Sequence, residues 1–227
     1  MDIMQFAGEC RVADPERFVE LMERLFVLLE TANREVNLTR ITGREDFLIK
    51  HVADSLALGR AFPEITDRVL ELADVGCGAG FPSLVLAAAY PGLRVTAIDS
   101  TAKKLAFVGR AAAGLGLNNL LTVHGRANEL NRQPEFREKF EVVTARAVAP
   151  AERIAGECRN FLKRPGGRFL LYQTPPRARE ELAELPRLRP GFRWEISEPF
   201  SLPEGAGERI FLIGTATGQP YRSGRDR

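Results

Sequence analysis

Three glycines at alternate positions, Gly76, Gly78 and Gly80, follow a short apolar run that ends in Asp74-Val75. A second acid, Asp99, closes the next apolar run about twenty residues later, where a doubly wound fold places a carboxylate on a ribose. Glycine lacks a Cβ, so it accepts positive φ and lets a ligand approach the backbone. An ionised carboxylate only accepts hydrogen bonds, which suits the two adjacent donors of a vicinal diol. Together these residues point to a ribose-bearing ligand held outside the carboxyl ends of parallel strands. The glycines alone would equally serve a tight strand-to-helix turn. Asp99 alone would serve as a helix N-cap, although Ser100 or Thr101 would do that as well. The G-x-G-x-G spacing, with Asp74 two residues ahead of it, is the variant associated with S-adenosylmethionine; the G-x-G-x-x-G spacing of dinucleotide sites aims a helix at a pyrophosphate instead.

Two further groups carry possible chemistry. His51 and Asp54 are three residues apart on an expected helix and share a face, within reach of each other or of a common partner. Arg146 ends an expected strand, where it would orient a carboxylate or contact a substrate carbonyl; the alternative is a surface arginine paired with an acid. No nucleophile with an adjacent base and no pair of carboxylates stands out.

The elements that position these residues read as α/β. Leu70 to Val75 is an expected strand buried on both faces, Phe81 to Tyr90 the helix after it, and Arg94 to Ser100 the next strand. Further strands are expected at 120–126, 140–147 and 168–173, with helices at Lys103–Gly114 and from Pro150 to Leu162. Pro175-Pro176 ends the fifth of these strands, and a charged helix is expected from about Arg177 to Leu185. Strands at 192–200 and 208–215 have no helix between them, so they pair antiparallel or lie apart. Ahead of the sheet, Asp14-Pro15-Glu16 starts a helix with an apolar face of Phe18, Leu21, Met22, Leu25, Leu28 and Leu29. A capping box of Thr42 and Glu45 starts a second helix, Asp46 to about Arg60. Residues 1–13 show little periodicity and read as loose. The organisation is thus a helical cap (1–66), a ligand-binding α/β domain (67–216) and a basic tail (217–227) with Arg222, Arg225 and Arg227.

The bulk numbers fit this reading. A chain of 227 residues, 44% hydrophobic and 27% charged, folds around its own core without disulfides or metal. Its longest apolar run is too short for a membrane span, and its N-terminus lacks a signal-peptide pattern. Cys10, Cys77 and Cys158 are odd in number and far apart, which suggests a reducing, cytoplasmic compartment and no metal cluster. A net charge of +2 says little about a nucleic-acid partner. A monomer is expected.

Asn37-Leu38-Thr39, His51-x-x-Asp54-Ser55-Leu56 and Asp74-Val75-Gly76-x-Gly78-Ala79-Gly80-Phe81-Pro82 resemble the RsmG (GidB) family of bacterial methyltransferases. Asp99-Ser100-x-x-Lys103-Lys104, Gly125-Arg126-Ala127, Thr144-x-Arg146-Ala147 and Gly207-Glu208-Arg209 continue the likeness in the same order, over about residues 20–215. The resemblance implies a Rossmann-like class I methyltransferase sheet, mostly parallel with its last strand antiparallel. It also implies methylation of N7 of a guanine in 16S ribosomal RNA. Gly76, Phe81, Ala127, Asn128 and Arg146 would then lie at S-adenosylmethionine, beside Asp74, Gly78, Gly80, Asp99 and Ser100. Candidate RNA contacts are His51 and the basic side of the helix after Asp99, formed by Lys103, Lys104 and Arg110. The chain departs from the family pattern at Asn128, where an acid is usual, at Ser83, where glycine is common, and at Gln173-Thr174, where Lys-Gly is usual.

Guanine N7 carries an unprotonated lone pair on its major-groove edge, so attack on a sulfonium methyl needs no general base. Positioning and desolvation would supply the catalysis, with Arg146 as the positioning residue. Two alternatives stay open: a methyltransferase on another RNA or a small molecule, and a cofactor-binding module without turnover.

Overall fold

The computed structural model describes residues 2–218. Among the described residues, four α-helices precede the first strand: α1 (Ile3–Glu9), α2 (Pro15–Val36), α3 (Arg44–Phe47) and α4 (Asp54–Ala61). Asp14 caps α2 by accepting from the Arg17 amide at 3.0 Å, with Pro15 in the first turn. The apolar face of α2 is buried at Phe18, Leu21, Met22, Leu25 and Leu29, whereas Leu28, at its margin, is exposed.

Two expectations fail in this region. The segment read as loose contains α1, capped by Asp2 and docked through Ile3, Phe6 and Ala7. Seven helical residues are too short for periodicity to stand out, and tertiary burial sustains them instead. The Thr42–Glu45 capping box does not form; Gly43 is the N-cap of α3 and makes no side-chain bond there. Between α3 and α4 the backbone of Leu48–Ala53 is π-wound. Such turns are rare and concentrate at functional sites, and this one carries His51.

The sheet begins with β1 (Leu70–Val75), followed by α5 (Ser83–Ala89), β2 (Leu93–Asp99), α6 (Ala102–Leu115), β3 (Leu120–His124), α7 (Ala127–Leu130), β4 (Val142–Arg146), α8 (Ala151–Cys158), β5 (Arg168–Gln173) and α9 (Pro175–Leu188). It ends with β6 (Phe192–Ile196), β7 (Phe200–Ser201) and β8 (Glu208–Ala216). The spatial order is β3-β2-β1-β4-β5-β8-β6, with β7 on β8. Strands β1 to β5 pair in parallel, and β8 pairs antiparallel with both β5 and β6. The expected class of sheet is therefore present. From β1 the order runs to β2 and β3 on one side and to β4 and β5 on the other, so a crevice opens beyond the carboxyl ends of β1 and β4.

One face of the sheet shares a continuous apolar core with α5, α6 and the N-terminal helices, reaching from Ile3 to Ile213. The Tyr90 hydroxyl, donating to the Cys10 carbonyl at 2.7 Å, ties α1 to this layer. Helices α8 and α9 cover the other face around Phe169, Phe192 and Trp194. Strand β5 ends ahead of Pro175-Pro176 as expected, and the two prolines form the first turn of α9, two residues before the expected start, because a first turn needs no donor from them. The expected tail arginines Arg222, Arg225 and Arg227 lie outside the described residues.

Candidate functional site

Positive φ at Gly76, Gly78 and Gly80 (70°, 58° and 90°) folds the chain sharply out of β1. The amides of Gly76 and Cys77 donate to the Ile98 carbonyl at 2.8 and 3.1 Å, which fastens the turn to β2. Asp99, at the end of β2, accepts from the Gly78 amide at 2.9 Å through Oδ2 and from the Thr101 amide at 2.7 Å through Oδ1. A carboxylate has about four acceptor sites, so Asp99 keeps capacity for two more donors while being held rigidly. A Cβ at Gly78 would meet nothing closer than the Gly76 carbonyl at 4.0 Å; one at Gly76 would strike Val148 at 2.6 Å. The first position is open toward a ligand, and the second is closed by the protein's own loop.

Asp74 and Gly80, both expected at the ligand, are not among the residues that line the cavity. Asp74 is fully buried and accepts from the Ser83 amide at 3.1 Å and from the Ser83 hydroxyl. Its Oδ1 is buried without a partner among the described residues, and burial pushes the carboxyl up to about 6. The pair joins the end of β1 to the start of α5, which accounts for serine at position 83. Gly80 exists for packing: an added Cβ would lie 2.5 Å from Leu84 Cδ1.

The cleft beyond these strand ends has a volume of about 860 Å³, within the range of small-molecule sites. Gly76, Gly78, Phe81, Asp99, Ser100, Ala127, Asn128 and Arg146 line it, as do His51 and Lys104. Lys103 and Arg110 are exposed but outside it, so the expected basic side divides. Lys50, Lys104, Arg126, Arg146, Arg153, Arg177 and Arg209 line the cleft against only Asp54, Asp99 and Glu157. Its walls therefore favour an anion, although the whole chain is almost neutral.

Asp54 organises the cationic wall. Its buried carboxylate accepts from Arg146 Nη1 at 3.0 Å and from Arg209 Nε at 2.9 Å. Arg146 also donates to the Lys50 carbonyl at 2.8 Å and meets His51 Nδ1 at 3.2 Å. His51 and Asp54 thus share a common partner, one of the two arrangements that their spacing allowed. Arg146 is paired with an acid and also faces the cleft, so both readings of it hold together. Two guanidinium groups on one carboxylate leave a net positive charge at the wall. Ala147, the next residue, has φ 56°, a left-handed conformation that holds Arg146 at a sharp bend.

His51 is buried rather than presented as a surface contact for RNA. Its ring stacks on Phe81 with centroids 4.1 Å apart, and Nε2 lies 3.1 Å from Thr39 Oγ1. Burial, and then the Arg146 charge, lower its pKa to about 3, so the ring is neutral. Burial also pushes the Cys77 thiol up, away from thiolate chemistry. At the end of β5, Gln173 contacts Glu181 at 3.4 Å, and Glu181 also holds Arg177 at 2.7 Å. Reading the sequence assigned no role to Thr39, Arg177 or Arg209. The Asn-Leu-Thr and Gly-Glu-Arg patterns were the only signals for the first and last of these.

A family model described as GidB, rRNA small subunit methyltransferase G, matches residues 19–189. A protein of Leuconostoc mesenteroides named ribosomal RNA small subunit methyltransferase G is 35% identical over 206 residues, covering 90% of this chain and 85% of its own. A protein of the same name from Gloeobacter violaceus is 40% identical over 202 residues, covering 88% and 79%. Among solved structures, the YcgJ protein of Bacillus subtilis superposes with a TM-score of 0.54 at 16% identity, covering 73% of this chain and 99% of that one. A 16S rRNA (adenine(1408)-N(1))-methyltransferase of Catenulisporales acidiphilia gives 0.53 at 16% identity, covering 68% and 88%. At such identities these two structures speak for the fold alone.

Proposed function

The chain belongs to the GidB family, rRNA small subunit methyltransferase G, and on that premise we propose that it transfers the methyl group of S-adenosylmethionine to N7 of a guanine in 16S ribosomal RNA. The observation that carries this reading is the cleft itself. One wall offers Asp99, with acceptor capacity left for a diol, beside the open Gly78. The facing wall offers a net cationic Arg146–Asp54–Arg209 group. A ligand with a ribose at one end and a carboxylate at the other matches both.

S-adenosylmethionine supplies a methyl group on a positively charged sulfur. Asp99 and the Gly78 turn would hold its ribose, and Ala127 and Asn128 its base. Arg146 would hold the amino-acid carboxylate: three of its five N–H donors are engaged by Lys50, Asp54 and His51, which leaves two for a ligand. Phe81, braced by His51, gives the floor an apolar face that excludes water. The neutral His51 has both ring nitrogens engaged and the Tyr172 hydroxyl donates to the Ser55 carbonyl, so neither is poised as a base. That suits a nitrogen already carrying its lone pair, with positioning as the main contribution of the protein.

RNA would approach across the cationic rim. At the end of β5 this chain has Gln173, and Arg177 brings a guanidinium to the same cleft. An A-form major groove is too deep and narrow to admit the site, so the target guanine should be unstacked or looped. Residues 1–66 we read as a cap on the 67–216 methyltransferase unit, supplying His51 and Asp54 to its site. Incubation with methyl-labelled S-adenosylmethionine and small ribosomal subunits from cells lacking the gene tests the proposal. Label in the ribosomal RNA is expected; label confined to small molecules would support the rival substrate class.

A further inference from the structure

Arginine only donates hydrogen bonds, so the His51 nitrogen that faces Arg146 Nη2 at 3.2 Å must accept. In a neutral imidazole the other nitrogen then carries the proton, and that nitrogen, Nε2, lies 3.1 Å from Thr39 Oγ1. His51 therefore donates to Thr39. The Ile41 amide donates to the same hydroxyl oxygen at 3.1 Å. Both lone pairs of the Thr39 oxygen are thus taken. Its own hydrogen has no acceptor among the described residues, and Thr39 lines the cleft.

The residue is held firmly in this role. The Asn33 side chain donates to the Thr39 carbonyl at 3.0 Å and accepts from the Thr39 amide at 2.9 Å, clamping the backbone on both sides. A hydroxyl normally rotates to donate or accept as a ligand requires; this one is fixed as a donor by a relay that starts at Arg146.

We propose that Thr39 is a specificity-determining residue whose hydroxyl, able only to donate, reads the O6 carbonyl of the target guanine. The proposal rests on the guanine-N7 reading above and deepens it. On the major-groove edge guanine presents O6 beside N7, two acceptors, whereas adenine presents an amino donor beside the same N7. A ring nitrogen alone cannot tell the two purines apart. A donor-only hydroxyl next to it admits guanine and sets donor against donor for adenine.

Two measurements test this. The first is nitrogen-resolved NMR of the His51 imidazole in the wild-type protein, which has only one other histidine, His124. A neutral ring protonated on Nε2 is expected; a proton on Nδ1 overturns the fixed polarity. The second compares methylation of small subunits in which the mapped target is guanine or has been replaced by adenine. Wild type should methylate guanine strongly and adenine weakly. Thr39→Val should lose about tenfold or more on guanine with little change on adenine, so that the ratio collapses, and Thr39→Ser should restore most of it. A Thr39→Val protein that folds and keeps the wild-type ratio overturns the proposal while leaving the guanine-N7 reading intact. A wild type that methylates no guanine at all overturns that reading, and the O6 contact with it.

Discussion

Arg146, at the end of β4, donates to Asp54, at the start of α4, across 3.0 Å and 92 positions of sequence. The bond joins the N-terminal helices to the strand end that forms the cleft. Arg209 reaches the same carboxylate from β8, so one buried acid fixes the positions of two cations from different parts of the sheet.

Removing that acid should loosen both. Asp54→Asn leaves two guanidinium groups, 16% and 23% exposed, around a neutral amide. Breaking a buried pair in this way costs about 3–5 kcal/mol, and the partial exposure brings the expectation to about 2–4. Thermal melting should show a fall of roughly 5–15 °C for a chain of this size. An unchanged melting temperature would mean that the cluster does not brace the fold.

A pH series isolates Asp74. Its folded pKa, raised to about 6, lies above the ordinary carboxylate value of 3.8, so its stabilising effect is full below 3.8 and is lost as pH rises through 6. His51 runs the opposite way. Its folded value of about 3 lies below 6.5, so stability is full above 6.5 and falls as pH drops toward 3. The two effects oppose each other between about pH 4 and 6, where the overall curve hides both. Asp74→Asn removes one of them and should gain on wild type steadily over that window, by up to about 1.4 kcal/mol per pH unit. Urea unfolding at several pH values measures it, and parallel curves would contradict the account.

Asp99→Ala should weaken S-adenosylmethionine binding at least roughly tenfold, because hydrogen bonds to a charged group contribute about 1.5–3 kcal/mol each. The Gly78 and Thr101 amides would lose their acceptor, but both lie at the edge of the cleft and can turn to water. Titration calorimetry on a folded variant that retains wild-type affinity would remove Asp99 from the ribose.

The basic side of α6 now separates into two testable halves. Lys104 lines the cleft and Lys103 does not. If RNA neutralises Lys104, the slope of log affinity against log salt should become shallower by roughly 0.7–0.9 in Lys104→Ala and stay put in Lys103→Ala. Equal slopes in all three proteins would move the RNA to another face.

How far the sequence alone reached depended on how local each signal was. Strand β1 was read to the residue and Asp99 was placed at its strand end, because apolar runs and glycines act through their immediate neighbours. Pro175-Pro176 was read as ending β5, which it does, but the start of α9 was placed two residues late, because proline suits a first helical turn as well as a strand end. Asp74 was assigned to the ligand, and its bond to Ser83, nine positions along, is a contact that only the fold of the turn creates. The Asp54 cluster draws on residues 92 and 155 positions apart, and no spacing rule reaches that far. Thr39 had a motif but no meaning until Arg146 set the polarity of His51.

Mass spectrometry of small-subunit ribosomal RNA reads methyl transfer to guanine N7 without any intermediary. RNA from cells with and without the gene is cut by nucleases and the fragments are compared. One guanine is expected to carry an N7 methyl group only when the gene is present, restored by the wild-type protein and not by Arg146→Ala. Identical fragments from the two strains would contradict it.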